Sequence, residues 1–262
     1  MKSSDVTPLI YRRAISVESS RGRVDCEIED DFHHFRVGFD HDGAKILKID
    51  ARSIRFPWTA CGRPSAEHFA GLSGMPLRPL RELLSRKEYF DYCTHMSDIL
   101  DLGINLQVRG GSLRLYEIEV QVGPGGPATG AIIWRDGVVE LQAGLSRGTF
   151  TAPAELAGVT VDDLYGWAQK RYDGEDRGGE HVEMLGVLQR AIYVSFGKGY
   201  DWHDRETAAE MGMPPVCFTM APQRVTQARQ MQNTERDFSA NRDRLLDGRV
   251  AALRQNASKN NA

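Results

Sequence analysis

The spacing of apolar and polar residues predicts an antiparallel β-sheet in two parts. Between residues 24 and 39, apolar and polar positions alternate with the two-residue period of half-buried strands. An Asp-Gly turn follows at residues 40–43, and residues 45–51 continue as the return strand of a hairpin. Three further strands, joined by turns rich in Gly and Pro, are predicted over residues 113–122, 131–135 and 138–143. The pattern therefore predicts an N-terminal hairpin and a central meander.

Apolar residues at helical spacing predict helices around this sheet. The predicted ranges are residues 66–72, 79–86, 93 or 94 to about 103, 162–172, 180–196, and 222 to about 238. The predicted fold class is α+β: a twisted antiparallel sheet packed by helices, with a helical C-terminal part. We assign residues 1–23 to an N-terminal arm and residues 24–238 to a single domain. Residues 239–262 form an amphipathic tail whose end we expect to be disordered.

Composition and charge exclude several kinds of partner. The 262 residues are 41% hydrophobic and carry a formal charge of −3, from 33 basic and 36 acidic residues mixed along the chain. This mixture offers no basic patch for nucleic acid, and no stretch has the roughly 18 apolar residues of a membrane span. The first residues lack the apolar run of a signal peptide, so we expect a cytoplasmic protein. The apolar side of the C-terminal helical part makes a homodimer a reasonable expectation.

Two distant segments each place a cysteine just before a predicted helix. They are residues 55–61, Arg-Phe-Pro-Trp-Thr-Ala-Cys, and residues 92–96, Tyr-Cys-Thr-His-Met. Free N–H groups at a helix start stabilise a thiolate or another anion. Cys61, Cys93 and His95 are therefore candidate ligands of a zinc ion with an open fourth position. Only Cys93 and His95 have the close spacing of strong zinc motifs, and the alternative is that both cysteines are small buried hydrophobic residues.

His33 is the first candidate for acid–base catalysis. It lies on the apolar side of a predicted strand beside the acidic residues 29–31, where burial and nearby carboxylates act in opposite directions on its protonation. A histidine in such a place is a candidate general base. The alternative is a core histidine that bonds one backbone carbonyl group. His95 is the second candidate base.

The residues around Pro57 are candidates for substrate binding. Arg55 and Trp58 offer a cation and a broad apolar ring next to Cys61. Such a pair suits an aromatic substrate with an anionic or phenolic group. The alternative is a core tryptophan with a surface arginine.

Residues elsewhere complete the predicted pocket. Arg36 is a second cation that would stabilise an oxyanion. Tyr116 lies on a predicted strand whose next residue points to the opposite face, so only one of the two can reach a shared pocket. We take Tyr116, Cys61 and Cys93 as substrate-binding candidates. The loop at residues 123–127 contains two prolines and is no phosphate loop, so we expect no cofactor, with zinc as the alternative.

The order and spacing of several motifs resemble a known bacterial family. The motifs are Glu29-Asp-Asp-Phe-His33, residues 55–61, Gly74-Met-Pro-Leu77, Cys93-Thr-His95 and Cys217-Phe-Thr-Met-Ala-Pro-Gln-Arg224. In this order they resemble the family called domain of unknown function 2889, and the resemblance covers about residues 24–229. It implies an association with bacterial catabolism of aromatic or other hydrophobic compounds, which members of that family tend to have.

The leading functional hypothesis is a lyase that needs no cofactor. Its expected substrate is a lignin-derived aromatic dimer of the phenylcoumaran or diarylpropane type, which would lose one hydroxymethyl carbon as formaldehyde. His33 or His95 would act as the base, and Arg55 would stabilise the oxyanion while the carbon–carbon bond breaks. Trp58 would form an aromatic wall. The alternatives are a zinc-dependent hydrolase and a ligand-binding or assembly module without catalysis, whose tail docks a partner.

Overall fold

An open sheet of eight antiparallel strands forms the centre of the computed structural model, which describes residues 9–85, 88–89, 91–175 and 177–260. The spatial order of the strands is β4-β3-β2-β1-β5-β6-β7-β8. Their bounds are β1 (Leu9–Ser20), β2 (Arg23–Asp30), β3 (His34–His41), β4 (Ile46–Arg55), β5 (Leu113–Val122), β6 (Ala128–Arg135), β7 (Val138–Ser146) and β8 (Thr149–Ala152). The predicted α+β class, with a helical C-terminal part, is confirmed.

The first strand joins the two predicted halves of the sheet. β1 pairs with both β2 and β5, so the predicted arm over residues 1–23 is wrong from residue 9 onwards; residues 1–8 lie outside the described residues. The alternation of β1 is interrupted by Arg13, which is 1% exposed. Asp30 lies opposite Arg13 on β2 and forms an ion pair with it. This ion pair occupies a place where the hydrophobic pattern expects an apolar residue.

Helices α3 and α5 cover one face of the sheet. In the described part of the chain the helices are α1 (Arg63–Ala70), α2 (Leu80–Leu83), α3 (Thr94–Val108), α4 (Leu164–Arg171), α5 (Gly178–Gly199) and α6 (Val250–Asn260). α3 packs on β1, β2 and β3, and α5 packs on β1, β5 and β6. A Cβ atom on Gly103 of α3 would lie 2.5 Å from Cys26 Sγ, so only glycine allows this close approach. Within these ranges, no helix has both the length and the apolar character needed to cross a membrane.

The C-terminal tail covers the opposite face of the sheet. The backbone N–H of Leu246 donates to Glu29 Oε2 at 2.6 Å, and Arg254 pairs with Glu117 of β5. Four of its buried apolar residues pack with Ala14 and Leu115 of the sheet: Leu245, Leu246, Val250 and Leu253. The tail is amphipathic, and its apolar side is used within the chain. That side is not the free face on which we expected a homodimer. The prediction of a disordered end is wrong as far as Asn260, because α6 continues to that residue, and residues 261–262 lie outside the described range.

Residues 200–238 form an irregular segment that runs from the end of α5 back over the first cysteine segment, residues 55–61. Isolated β-bridges join Trp58 to Gln230 and Thr207 to Arg229. The helix predicted over residues 222–238 is wrong, and Asn233 within that range has a left-handed φ of 58°. The segment therefore contributes to the region around Trp58 without a strand or an α-helix, and its one regular element is the 3₁₀ helix Ala208–Met211.

Candidate active site

The two cysteine segments and the turn after β2 meet at one cavity of about 170 Å³. Its wall brings together five residues that the sequence analysis named: His33, Trp58, Cys61, Cys93 and His95. Most of the remaining wall is apolar or aromatic and includes Phe32, Phe35, Trp202, Met211, Val216, Phe218 and Met220. The irregular segment supplies much of this apolar wall. Tyr193, Phe196 and Met213 mark the mouth of the cavity, because they are 43%, 39% and 42% exposed.

Asp30 is the buried carboxylate behind His33. Its Oδ1 accepts hydrogen bonds from the backbone N–H groups of Phe32 and His33, both at 2.8 Å. Its Oδ2 accepts from Tyr11 Oη at 2.8 Å and from Arg13 Nη2 at 2.6 Å. Burial opposes ionisation, but the charges of His33 and Arg13 hold the pKa of Asp30 well below its usual range. Asp30 is therefore an ionised carboxylate at neutral pH.

Asp30 also fixes the orientation of the His33 ring. His33 Nδ1 lies 3.1 Å from Asp30 Oδ1. An ionised carboxylate can only accept, so the proton of this hydrogen bond belongs to Nδ1. In the neutral ring, Nε2 then carries the free lone pair. This is the arrangement of a histidine general base whose tautomer is set by a carboxylate.

His95 is a neutral hydrogen-bond donor stacked on His33. The two ring centroids are 4.2 Å apart and the rings are inclined by 29°. His95 Nε2 lies 3.1 Å from Arg13 Nη2. A guanidinium group can only donate, so Nε2 is the acceptor and Nδ1 carries the proton. Burial and the charges of His33 and Arg13 lower the pKa of His95 well below its usual range. Of the two candidate bases, the geometry therefore favours His33.

Arg190 of α5 supplies the positive charge of the cavity wall. Its Nε donates to Asp98 Oδ2 at 2.8 Å. Asp98 also accepts from Arg81 Nη2 at 2.6 Å and from Tyr89 Oη at 2.8 Å, so two guanidinium groups share this carboxylate. Among the described residues that line the cavity, Arg190 is the only Arg or Lys, and none is Asp or Glu.

Arg55, a predicted catalytic residue, does not line the cavity. Its Nη2 donates to the carbonyl oxygen of Asp30 at 2.6 Å and to Glu29 Oε1 at 3.0 Å. Its Nη1 donates to the carbonyl oxygen of Asp31 at 3.0 Å. The predicted direct role is therefore wrong, because the guanidinium group is used in holding the turn that carries Asp30 and His33.

Arg36 and Tyr116, predicted to bind substrate, also lie outside the cavity wall. Arg36 Nη2 donates to Glu27 Oε1 and to Asp247 Oδ2, both at 2.8 Å, on the face of the sheet that the tail covers. Tyr116 is on the helix-facing side, but its hydroxyl donates to Glu183 Oε1 of α5 at 2.8 Å. Both predicted roles are therefore wrong, because strand alternation and helix packing direct these polar groups elsewhere.

The thiols around the cavity are protonated. Burial raises the pKa of Cys61, and it raises the pKa of Cys93 to about 12 although Cys93 is the N-cap of α3. A third cysteine of the wall, Cys217, also has a pKa raised by burial. At Cys93, desolvation exceeds the effect of the helix N–H groups on the pKa. Cys61 ends the short 3₁₀ helix Thr59–Cys61, and Gly62 is the N-cap of α1. The expectation of thiolates at two helix starts is therefore wrong. Cys61 Sγ instead lies 2.9 Å from Thr219 Oγ1, in a buried hydrogen bond between the two side chains.

Two clusters of potential metal ligands occur in the described part of the chain. In each, the three ligand atoms lie within 4.8 Å of one another: Asp30, His33 and His95 at the cavity, and Glu27, His34 and Asp247 on the other face of the sheet. The predicted set of Cys61, Cys93 and His95 is not among these clusters. In the second cluster, Arg36 and Arg249 both bind Glu27, and their charges disfavour a cation there.

Sequence reasoning named neither Arg13 nor Arg190 as a site residue, and it included Asp30 only within the acidic stretch at residues 29–31. Asp30 accepts the backbone N–H groups of Phe32 and His33, two and three positions further along the chain, and an Asp at that spacing is the signal for an Asx turn. Arg13 was an isolated charge in an apolar alternation. Arg190 looked like an ordinary polar position of an amphipathic helix, and nothing in its spacing indicated that it reaches a cavity.

Fold and site together define an α+β protein with an aromatic cavity and a carboxylate-oriented histidine at its wall. A scan of the chain against protein-family models finds no match, and a search of curated proteins finds no relative. The resemblance to domain of unknown function 2889 therefore stays an expectation from the motifs.

Proposed function

We propose that the protein is a cofactor-independent lyase for a hydrophobic aromatic substrate, with His33 as the base. In its specific form, the proposal is the release of formaldehyde from lignin-derived dimers of the phenylcoumaran or diarylpropane type. The supporting observation is the Asp30 and His33 pair, stacked against a neutral His95 at the wall of an aromatic cavity. This arrangement provides a base and a separate N–H donor side by side.

The proposed reaction on a diarylpropane-1,3-diol is a fragmentation without oxidation or reduction. His33 Nε2 takes the proton of the hydroxymethyl O–H, and that oxygen forms the C=O bond of formaldehyde. The adjacent carbon–carbon bond breaks, and its electron pair forms a C=C bond between the two ring-bearing carbons. The hydroxyl on the far carbon leaves and takes up a proton. The products are formaldehyde, a diaryl alkene and water; in a phenylcoumaran the leaving oxygen becomes a phenol.

Each polar residue has a defined part in this proposal. Asp30 stabilises the His33 imidazolium that forms, and its hydrogen bonds with Tyr11 and Arg13 keep it ionised. The Nδ1–H of His95 donates to the leaving oxygen. Proton transfer from positioned groups of this kind typically contributes about 10²–10⁴-fold to a rate.

The size of the cavity supports a substrate with separate rings. An apolar cavity of about 150 Å³ is large enough for one benzene molecule, so the cavity of about 170 Å³ has room for one ring. Trp58 and Trp202 form its aromatic wall, with ring centroids 5.8 Å apart. A second ring would lie at the mouth, where Tyr193 and Phe196 are exposed.

The test is to incubate the purified protein with a diarylpropane-1,3-diol and with a phenylcoumaran, and to measure formaldehyde and the alkene product. We expect His33→Gln to lower turnover at least about 10²-fold. His68→Gln is the matched control, because His68 is an exposed histidine of α1 outside the cavity wall. The proposal fails if neither substrate yields formaldehyde, or if His33→Gln retains wild-type turnover.

A metal-dependent hydrolase is the second candidate, since the ligand atoms of Asp30, His33 and His95 lie within 4.8 Å of one another. A zinc ion there would replace hydrogen bonds that Arg13 now donates to Asp30 and His95. This candidate predicts near-stoichiometric zinc by elemental analysis, lost in His95→Gln, and hydrolysis abolished by a chelator. Formaldehyde release that is unaffected by chelator would favour the lyase.

A further inference from the structure

Arg190 lies at the boundary between two cavities. One is the aromatic cavity, and the other is a polar cavity of about 490 Å³ between α3, α4 and α5. Among the described residues, Asp98 is the only hydrogen-bond partner of Arg190, and only Nε is used. The side chain is 25% exposed. Its two Nη groups therefore retain N–H donors for a ligand.

On the side of the aromatic cavity, the charges around Arg190 favour an anion, whereas the polar cavity on its other side contains carboxylates. The described wall of the aromatic cavity contains no carboxylate, so nothing across the cavity neutralises the guanidinium group. Its one partner, Asp98, is shared with Arg81. An incompletely paired cation in an apolar wall is unfavourable without a counter-charge, whereas a carboxylate or phenolate oxygen would supply one. A cationic ligand would meet a like charge.

We propose that Arg190 binds an anionic oxygen carried by the aromatic substrate, so that the substrate class is aromatic carboxylates and phenolates. The ring would occupy the cavity against the wall formed by Trp58 and Trp202, and the anionic oxygen would accept from the Nη groups. This inference deepens the proposed function and rests on the aromatic cavity being the substrate site. It also gives Arg190 the anion-binding role that the sequence analysis expected of Arg55.

The test compares ligands of equal shape and different charge by calorimetric titration of the full chain. Benzoate and benzamide form the carboxylate pair, and 4-nitrophenolate and 4-nitroanisole form the phenolate pair. We expect the anion of at least one pair to bind at least about tenfold more tightly, as charge-assisted hydrogen bonds are stronger than neutral ones. Arg190→Met should remove this preference and leave the affinity for the neutral compound within about twofold.

Two controls separate a local effect from a general one. Arg109→Met removes an arginine that pairs with Glu183 and lines only the polar cavity, and it should keep the anion preference. Arg190→Lys keeps the charge without the planar fork and should keep part of the preference. Thermal unfolding shows whether each variant is folded, and Asp98 retains Arg81 and Tyr89 as partners in Arg190→Met.

The outcomes decide the inference independently of catalysis. Equal affinities within both pairs, no binding of any of the four compounds, or a preference that persists in folded Arg190→Met would each overturn it. A preference lost equally in Arg109→Met would do the same. A protein that prefers the anions but releases no formaldehyde would retain this inference and lose the lyase proposal.

Discussion

The buried ion pair between Arg13 and Asp30 allows a quantitative prediction about stability. Both side chains are 0% exposed, and Arg13 Nε and Nη2 donate to the same Asp30 oxygen at 3.1 and 2.6 Å. Arg13→Met would leave the Asp30 carboxylate buried with only Tyr11, His33 and backbone N–H groups as donors. Removing one partner of a buried pair typically lowers the free energy of unfolding by about 3–5 kcal/mol. That is a large part of the roughly 5–15 kcal/mol of a typical domain.

Urea unfolding at pH 7, followed by circular dichroism, measures this loss. The double variant Arg13→Met with Asp30→Asn removes the unpaired charge as well. We therefore expect its loss of unfolding free energy to be at least about 1 kcal/mol smaller than the sum of the losses in the two single variants, because the two residues interact directly. A loss below about 1 kcal/mol in Arg13→Met, or strict additivity in the double variant, would refute the reasoning.

The remaining predictions concern the site. The pKa of His95 is lowered in the folded protein, so below about pH 6.5 the unfolded chain binds a proton that the folded chain does not. The free energy of unfolding of the wild type therefore falls as the pH is lowered from 7 to 5. His95→Gln removes this group and should make that fall smaller. Urea midpoints between pH 7 and 5 check this, and equal slopes would contradict it. Asp30→Asn should lower turnover by about 10²–10⁴-fold, measured as formaldehyde release, because the amide no longer fixes the His33 tautomer; a change under twofold would exclude that role. In the native protein, iodoacetamide should alkylate Cys61 and Cys93 at least about tenfold more slowly than in urea, because burial keeps both thiols protonated. Mass spectrometry measures the two rates, and equal rates would show accessible thiolates.

The parts of the fold that sequence reasoning located are those with regular local patterns. The strand predicted over residues 113–122 is β5, and the return strand predicted over residues 45–51 lies within β4 apart from its first residue. The alternation over residues 24–39 is divided between β2 and β3 by a turn at residues 31–33, so His33 lies in that turn and the prediction that it lies on a strand is wrong. β1 was missed because Arg13 breaks its alternation, and its neutralisation by Asp30 depends on strand register. The helix predicted over residues 222–238 is absent because a largely polar sequence there is organised by contacts with Pro57 and Trp58, and local periodicity does not record such contacts.

The site was predictable to the extent that its residues belong to short motifs. Cys61, Cys93, His95, Trp58 and His33 belong to such motifs, and all of them line the cavity. Arg55 was predicted at the cavity, whereas Arg190 is the arginine that lines it. No local sequence pattern distinguishes an arginine that faces a cavity from one that holds a loop. That distinction depends on how α5 packs against the sheet and on which carbonyl groups need a donor.

The two halves of the cavity differ in how firmly they are held. The polar half is fixed by many contacts: Asp30 accepts from two backbone N–H groups and from Tyr11, His33 and Arg13, and Arg55 holds the carbonyl groups of the same turn. Much of the apolar half comes from the irregular segment, whose Trp202, Met211 and Met213 lie outside strands and α-helices. A change in the polar half therefore alters the orientation of His33 and the stability together. A change among the methionines alters the shape of the cavity while leaving the orientation of His33 intact, so substrate preference is the property that substitutions in this segment should change first.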